Sequence, residues 1–195
     1  MFYRKPLTYS FDSLEPYIDE KTMREHYEVH YKKYEDGLNK AIAENNISPN
    51  LPITEVLKNY HSIKQIRNNG GGYYNHFLYF DNIGPNQLPV PPELQLLIEQ
   101  NFGTYENFVA QFSKAGAEVF GSGWAWLIMQ DNKLKIATTA NQDNPVMNPK
   151  FADCKILLAM DVWEHAYYLK HMADRKSYIN DFFQVVCWRT VSERL

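Results

Sequence analysis

The sequence of 195 residues has only two cysteines and no large excess of charge of either sign. Cys154 and Cys187 are too few for a disulfide framework, and low cysteine use is typical of proteins in a reducing compartment. Twenty Lys and Arg against 23 Asp and Glu give a net charge of −3. A general nucleic-acid-binding protein is normally basic, so we expect no nucleic-acid partner.

Long apolar segments are also missing. Runs such as residues 124–129 are far shorter than the roughly 20 residues that a membrane-spanning helix needs, so we expect no membrane association. No apolar core of a secretory signal follows the first residues, and we therefore expect a cytoplasmic location. Aromatic residues, in contrast, make up 15% of the chain, which is a high share.

The N-terminal part of the sequence has helical periodicity. Between residues 22 and 45, apolar and aromatic side chains recur at spacings of three or four and so share one helical face. A second helix is predicted over residues 53–81, with an interruption at the glycines of positions 70–72, because glycine disfavours a helix. Two long helices joined by a short loop predict an antiparallel hairpin.

The pattern changes after a proline-rich stretch at residues 82–92, which we interpret as a linker. Two helices are predicted next, over residues 93–102 and from Thr104 to a point before Gly121. Strands are predicted over 124–130 and 133–140, on either side of an Asp131-Asn132 turn, and over 155–160. Helices are expected again from about residue 165 and over 177–188.

These elements predict an α+β protein. Residues 1–88 are expected to form an N-terminal antiparallel helical hairpin domain. Residues 89–195 are expected to form a C-terminal domain with a three-stranded antiparallel sheet flanked by helices.

Histidine is the commonest metal ligand in proteins. The sequence has six histidines: His26, His30, His61, His76, His165 and His171. His26 and His30 lie four residues apart on the aromatic face of the first helix, and Asp161 and His165 are equally spaced where a strand gives way to a helix. His61 and His171 have no such context, and we expect them to be ordinary surface or core residues.

A site of three imidazoles and one carboxylate suits iron or manganese, whereas metals that prefer thiolate are disfavoured. Zinc stays possible by ligand type, although a closed four-ligand zinc site would be structural. An iron or manganese ion with solvent as a fifth ligand is able to cycle by one electron.

Several motifs follow one another along the chain. They are Leu14-Glu-Pro-Tyr-Ile18, His26-x-x-x-His30-x-x-x-Tyr34, Leu38-Asn39, Asn69-Gly-Gly-Gly72, Asn75-His76, Gly121-Ser-Gly-Trp-Ala-Trp-Leu127, Asn141-Gln-Asp143 and Asp161-Val-Trp-Glu-His-Ala-Tyr-Tyr168. In this combination the sequence resembles the iron/manganese superoxide dismutases from residue 7 to about residue 194.

The resemblance implies an enzyme that disproportionates superoxide to dioxygen and hydrogen peroxide. It implies one manganese ion per subunit, held between the two domains, with iron alone or either metal as the alternatives. Four residues match the family's metal ligands: His26, His76, Asp161 and His165.

The resemblance also implies roles around the metal. Tyr34 and His30 match residues at the mouth of the substrate funnel, and Gln142 matches the amide that bonds to solvent on the metal. Trp124, Trp126 and Trp163 match the aromatic residues that surround the metal. Glu164 and Tyr168 match residues at the subunit contact, and Arg175 matches an arginine near the funnel. Glu164 of one chain would bond His165 of another, which implies a homodimer or a tetramer.

The place of the glutamine favours manganese. In iron-type members, the glutamine that bonds to solvent on the metal commonly lies a few residues before the second histidine ligand, where this sequence has Gly72. In manganese-type members, it commonly lies at the position of Gln142. Tyr74 and Phe80 depart from the usual residues beside the site. Val29 stands where many relatives have a funnel lysine, and Lys32 or Lys33 is the candidate to compensate.

Two other functions stay open at the level of sequence. A non-catalytic structural or interaction module of the same fold would be expected to have lost one or more ligands. A non-haem iron oxygenase uses two histidines and a carboxylate with open positions, so a third histidine and many aromatic neighbours disfavour it.

Overall fold

A computed structural model describes residues 1–85, 88–151 and 153–195. Its first helical stretch runs without a break through α1 (Glu20–Arg24), a π-helical segment (Glu25–Tyr31) and α2 (Lys32–Glu44). The predicted helix is therefore present, but the wider π segment was not predicted. Such segments occur frequently at functional sites, and this one contains two of the candidate histidines. The predicted linker at 82–92 includes two residues outside the described ranges.

The second helical stretch breaks at a different place from the one predicted. It consists of α3 (Ile53–Tyr60), a second π segment (Ile66–Gly70) and α4 (Gly71–Asn82). The break is a turn at residues 61–63, and the glycines continue the helix. Their role is close packing: a Cβ on Gly71 would lie 2.0 Å from the carbonyl oxygen of Gln142.

The next two helices, α5 (Pro92–Phe102) and α6 (Tyr105–Glu118), have nearly the predicted bounds. Gly103 ends α5 with a φ of +86°, a left-handed conformation that favours glycine. Thr104 then caps α6, because its side-chain oxygen accepts from the Asn107 backbone N–H at 3.1 Å.

The sheet has three antiparallel strands, β1 (Gly123–Gln130), β2 (Lys133–Ala140) and β3 (Lys155–Asp161), in the order β2-β1-β3. Asp131 and Asn132 form the predicted two-residue turn, with φ values of 54° and 57°. β1 and β3 pair so that Trp124 lies opposite Asp161. The candidate ligand Asp161 is thus the last residue of β3 and lies beside Trp124.

The predicted C-terminal helices are shorter in the structure. A 3-10 turn (Glu164–Ala166), α7 (Tyr168–His171), α8 (Arg175–Phe182) and α9 (Trp188–Glu193) take their place. The expected helix over 177–188 is present only as far as Phe182, because the backbone between α8 and α9 pairs with the end of α4 instead. The Gly84 N–H donates to the Val185 carbonyl at 2.8 Å, and the Cys187 N–H donates to the Asn82 carbonyl at 2.8 Å.

The α+β class and the hairpin-plus-sheet architecture are confirmed. Much of the aromatic content lies in the core; the largest fully buried side chains include Trp124, Trp126, Tyr31, Tyr79, Tyr178, Phe108, Phe112 and Phe182. In the parts of the chain that the structure describes, no helix combines the length and apolarity needed to cross a membrane.

Candidate metal centre

The four candidate ligands meet at one point. His26, His76, Asp161 and His165 each offer one ligand atom, and these atoms lie within 4.8 Å of one another. The first three residues are fully buried and His165 is nearly so. Residues separated by up to 139 positions in the sequence therefore converge (165 − 26).

The helices supply the first two ligands. His26 lies in the first π segment and His76 in α4. Nδ1 of His76 donates to the Gly72 carbonyl at 2.6 Å, which leaves Nε2 facing the cluster. Nε2 is buried and has no hydrogen-bond partner among the described residues. An unpartnered buried polar atom is costly, and a metal ion would satisfy it.

Asp161 is the hub of the cluster. Its Oδ2 lies 3.1 Å from Nε2 of His26, 3.0 Å from Nε2 of His165 and 3.7 Å from Nε2 of His76. Its Oδ1 accepts from the Trp163 backbone N–H at 2.9 Å, which fixes the carboxylate at the end of β3.

The protonation states suit a metal. Burial alone would raise the pKa of Asp161, but the neighbouring His165 and His26 outweigh burial and hold that pKa well below its ordinary value. Burial lowers the pKa of His26 to about 4, and burial together with His26 lowers the pKa of His76 well below its ordinary value. At neutral pH Asp161 is therefore a carboxylate and His26 and His76 are neutral imidazoles, the forms that bind metal.

His165 is held by stacking. Its ring stacks with His30 at a centroid distance of 4.2 Å and with Trp163 at 5.4 Å. Burial, followed by the charges of His165 and His26, lowers the pKa of His30 to about 4, and Lys33 contributes in the same direction. His30 is therefore neutral at neutral pH and lies directly beside a ligand.

Gln142 links the site to Tyr34. Its Nε2 donates to the Tyr34 hydroxyl at 3.0 Å, while its Oε1 accepts from Trp124 Nε1 at 3.1 Å and from Asn75 Nδ2 at 3.2 Å. Asn75 is a positioning residue that sequence reasoning left without a role. Its place immediately before His76 was the one sign in the sequence that Asn75 belongs to the site. Its contact with Gln142, 67 positions away, was not predictable from the sequence.

Aromatic rings surround the ligands. Trp124 lies edge-on to His76 at 5.2 Å, and Trp126 stacks on Trp124 at 5.5 Å and so supports this wall from behind. Phe80 lies 4.9 Å from His26. Tyr74 stacks on its neighbour Phe77 rather than on a ligand ring.

Other predicted residues lie towards the surface. Glu164 and Tyr168 are exposed, as the implied subunit contact requires, and Val29 is 51% exposed. Arg175 donates to the Tyr167 hydroxyl at 3.1 Å and to two backbone carbonyls of the loop before β1. Its role near the funnel stays a prediction.

His61 and His171 lie outside the cluster. Nδ1 of His61 contacts the Leu57 carbonyl at 2.9 Å, one turn earlier in its own helix. Nε2 of His171 contacts the Tyr17 carbonyl at 3.4 Å. Both histidines therefore have local partners.

Comparison with known proteins agrees with this geometry. The family description "Iron/manganese superoxide dismutases, alpha-hairpin domain" matches residues 2–84, and "Iron/manganese superoxide dismutases, C-terminal domain" matches residues 90–194. The chain belongs to the iron/manganese superoxide dismutase family.

Similar members of this superoxide dismutase family come from several bacteria. "Superoxide dismutase [Mn]" of Listeria innocua serovar 6a is 40% identical over 201 residues, which cover 100% of this chain and 98% of the relative. The protein of the same name from Acinetobacter baylyi is 42% identical over 200 residues, covering 99% and 86%. That of Escherichia coli O157:H7 is 38% identical over 202 residues, covering 100% and 98%.

Proposed function

We propose that this protein is a superoxide dismutase, which converts two superoxide anions and two protons into dioxygen and hydrogen peroxide. The observation that carries the proposal is the convergence of His26, His76, Asp161 and His165 within 4.8 Å. These residues would hold one manganese ion per subunit, or iron in its place. The metal supplies one-electron oxidation and reduction, as the names of the similar proteins imply for them.

The side chains around the site hold and move protons. Burial raises the pKa of Tyr34, and Asp161 adds to this, while the hydrogen bond from Gln142 opposes it. The phenol therefore stays protonated at neutral pH and is a proton donor at the site's entrance. His30 is neutral there and is able to accept a proton. Gln142, fixed by Trp124 and Asn75, orients the Tyr34 hydroxyl.

Manganese is the metal favoured by the chain's own residues. Gln142 reaches the site from the loop after β2, the arrangement expected of manganese-type members. At Gly72 a Cβ would lie 2.3 Å from the Tyr34 ring, so the helix leaves no room for a side chain there. Iron generally binds N/O sites more tightly than manganese, so metal supply also affects loading.

The non-catalytic alternative predicted the loss of a ligand, and all four are present. The oxygenase alternative needs open positions for an organic co-substrate. Here a third histidine and aromatic rings close to the ligands occupy that space. Neither alternative is favoured.

A homodimer is part of the proposal. The exposed large apolar residues include Phe120, Tyr168, Leu169 and Met172. Glu164, beside His165, is exposed and accepts from the Ser122 hydroxyl at 3.3 Å. His165 uses Nε2 towards Asp161, so its Nδ1 is left for a glutamate of a second subunit. Light scattering coupled to gel filtration tests this, with Glu164→Ala expected to weaken the dimer.

The domain division and the cellular location also stay proposals. A boundary at 88/89 assigns two ligands to each domain and places the metal between them. Two cysteines without a disulfide fit a cytoplasmic location. Limited proteolysis would test the boundary, and fractionation of the source cells would test the location.

The activity is tested by superoxide consumption together with metal quantification. The purified protein is stripped of metal and loaded separately with manganese and with iron. We expect activity in proportion to bound manganese. Absence of activity with both metals at full loading would contradict the proposed function, and full activity with iron alone would contradict the metal assignment.

A further inference from the structure

The two histidines that the helices supply to the metal centre are oriented in different ways. Nδ1 of His76 donates to the Gly72 carbonyl at 2.6 Å, whereas Nδ1 of His26 is buried and has no hydrogen-bond partner among the described residues. A ligand histidine is usually oriented by a hydrogen bond from the ring nitrogen that does not bind the metal. The direction of His26 therefore depends on its backbone and on the rings around it.

Arg4 holds the backbone next to His26. Its Nη1 donates to the Tyr27 carbonyl at 2.6 Å, and Tyr27 follows His26 directly in the first π segment. The guanidinium group also lies 4.8 Å from the centre of the Tyr27 ring, within the range of a cation–π contact. Arg4 thus contacts one residue of the π segment in two ways.

Glu35 holds Arg4 in this place. Its Oε2 accepts from the backbone N–H of Arg4 at 2.6 Å and from Nε of Arg4 at 3.2 Å. Glu35 is 9% exposed, and a buried carboxylate that loses its charged partner is costly, so folding favours the intact pair. The second cation near Glu35 is Lys32, which lies 3.7 Å from Oε1 and also forms an ion pair with Asp36.

Arg4 also lies beside a ring that packs against His76. Tyr31 is buried, and its ring stacks on His76 and on Phe80, both at a centroid distance of 5.7 Å. The guanidinium group lies 5.9 Å from the centre of the Tyr31 ring, and Phe80 lies 4.9 Å from His26. Closely packed interiors transmit displacements, so the position of Arg4 affects both helical ligands.

We propose that Arg4, held by Glu35, is a positioning residue of the metal centre. It fixes the π-segment backbone that directs His26 and the Tyr31 ring that packs against His76. This inference rests on the proposed function for the metal at the site. Loss of a group that orients a ligand lowers metal affinity by about 10–100-fold. Since Arg4 acts through other residues, we expect an effect at the lower end of this range.

The experiment compares two variants that each remove one positive charge beside Glu35. Arg4→Gln removes the contacts of the guanidinium group. Lys32→Gln is the control, because the contacts of its ammonium group among the described residues are with Glu35 and Asp36. Each variant changes the net charge from −3 to −4 (−3 − 1). The manganese-loaded proteins are compared by the position of the visible absorption band of oxidised manganese and by the rate of manganese release to a chelator. Urea midpoints of the metal-free proteins are measured alongside.

We expect Arg4→Gln to release manganese about tenfold faster than the wild type and to shift the absorption band. Lys32→Gln should match the wild type in both measurements. A lower urea midpoint in Arg4→Gln, with the band and the release rate of the wild type, would mean that Arg4 serves the fold alone. Equal changes in Lys32→Gln would assign the effect to the charge beside Glu35. Both results overturn the proposal.

A second variant decides the question if Arg4→Gln does not fold. Arg4→Lys keeps the charge but lacks the planar fork of donors that serves the Glu35 carboxylate and the Tyr27 carbonyl at once. Faster release and a shifted band in Arg4→Lys support the proposal, whereas wild-type values for both overturn it.

Superoxide turnover by the same proteins keeps this inference apart from the proposed function. If the band and the release rate change as expected but the loaded wild type does not consume superoxide, the positioning role stands and the proposed activity fails. If the wild type is active and neither the band nor the release rate changes in Arg4→Gln, the activity stands and the positioning role fails.

Discussion

The two halves of the metal centre are held in different ways. His26 and His76 lie in helices, have no exposed surface and are surrounded by rings. Asp161 and His165 lie at the end of a strand and in the turn after it, and the His165 side chain is 9% exposed. We infer that packing against rings fixes most of the helical half, whereas the strand half depends on the hydrogen bonds of Asp161 and on the stacking of His165 with His30 and Trp163. Changes in the helical half should therefore affect stability, and changes in the strand half should affect metal binding and rate.

The largest effect is expected from Asp161→Asn in the strand half. The amide keeps the shape but removes the charge that faces three imidazoles, so bound metal and activity should both fall about 100-fold or more. Elemental analysis and a superoxide assay measure the two losses. Asp131→Asn, in the turn between β1 and β2, is the control and should bind metal normally. Full metal content in Asp161→Asn would show that the three histidines hold the metal without the carboxylate.

Acid should destabilise the metal-free protein mainly through the helical half. His26 has an ordinary pKa of 6.5 and a folded-state pKa of about 4. Between these values the unfolded chain thus binds more protons than the folded chain. The contribution of His26 to the free energy of unfolding is therefore complete above pH 6.5 and is lost as pH falls to about 4. The loss corresponds to about 3 kcal/mol. Asp161 adds a further loss only below its ordinary pKa of 3.8.

Urea unfolding of the metal-free protein at several pH values measures this effect. His26→Gln should flatten the pH dependence between pH 6.5 and 4, while His61→Gln should leave it unchanged. If the two variants follow the same curve, His26 does not set the acid sensitivity.

A methyl group at Gly72 tests the packing of the helical half. The added Cβ would lie 2.3 Å from the Tyr34 ring, and such overpacking costs about 1–3 kcal/mol. Gly72→Ala should lower the urea midpoint accordingly, with metal affinity changed much less than by Asp161→Asn. Gly84→Ala, where no atom of the residues that the structure describes lies within 4 Å of the added Cβ, should be nearly neutral. Equal stability of the two variants would mean that Tyr34 moves aside at little cost.

The smallest effect is expected from Tyr34→Phe. It removes the hydroxyl that accepts from Gln142 at 3.0 Å, which costs about 1 kcal/mol. Metal content should stay the same, while proton delivery or product inhibition changes at saturating superoxide. Tyr27→Phe removes a hydroxyl whose one partner among the described residues is the Lys5 carbonyl, and this variant is the control. Identical kinetics of the two variants would remove Tyr34 from proton transfer.

Some of this architecture follows from local sequence signals. Strand β2 has the predicted bounds because Asp131 and Asn132 adopt the positive φ angles that a two-residue hairpin turn needs. The cap at Thr104 is equally local. The ligand set was predicted from the resemblance to the family, since the spacing of three histidines and one aspartate along the chain does not by itself bring them together.

Other features depend on contacts between distant segments. The glycines at 70–72 predicted a break, yet they continue the helix because the Gln142 backbone and the Tyr34 ring pack against them. The role of Asn75 and the pairing of the α8–α9 connection with the end of α4 are tertiary contacts of the same kind. The ion pair that distinguishes Lys32 from Lys33 depends on which way each side chain points from the helix.

The contact between Gly72 and Tyr34 also constrains how this protein could change its metal over evolution. An exchange from the manganese arrangement to the iron arrangement would move the glutamine from position 142 to position 72. At 2.3 Å from the Tyr34 ring, a side chain at position 72 clashes unless the tyrosine shifts first. An intermediate protein would have glutamine at both position 72 and position 142, with the clash against Tyr34, or at neither position. The exchange therefore needs several coordinated mutations rather than one.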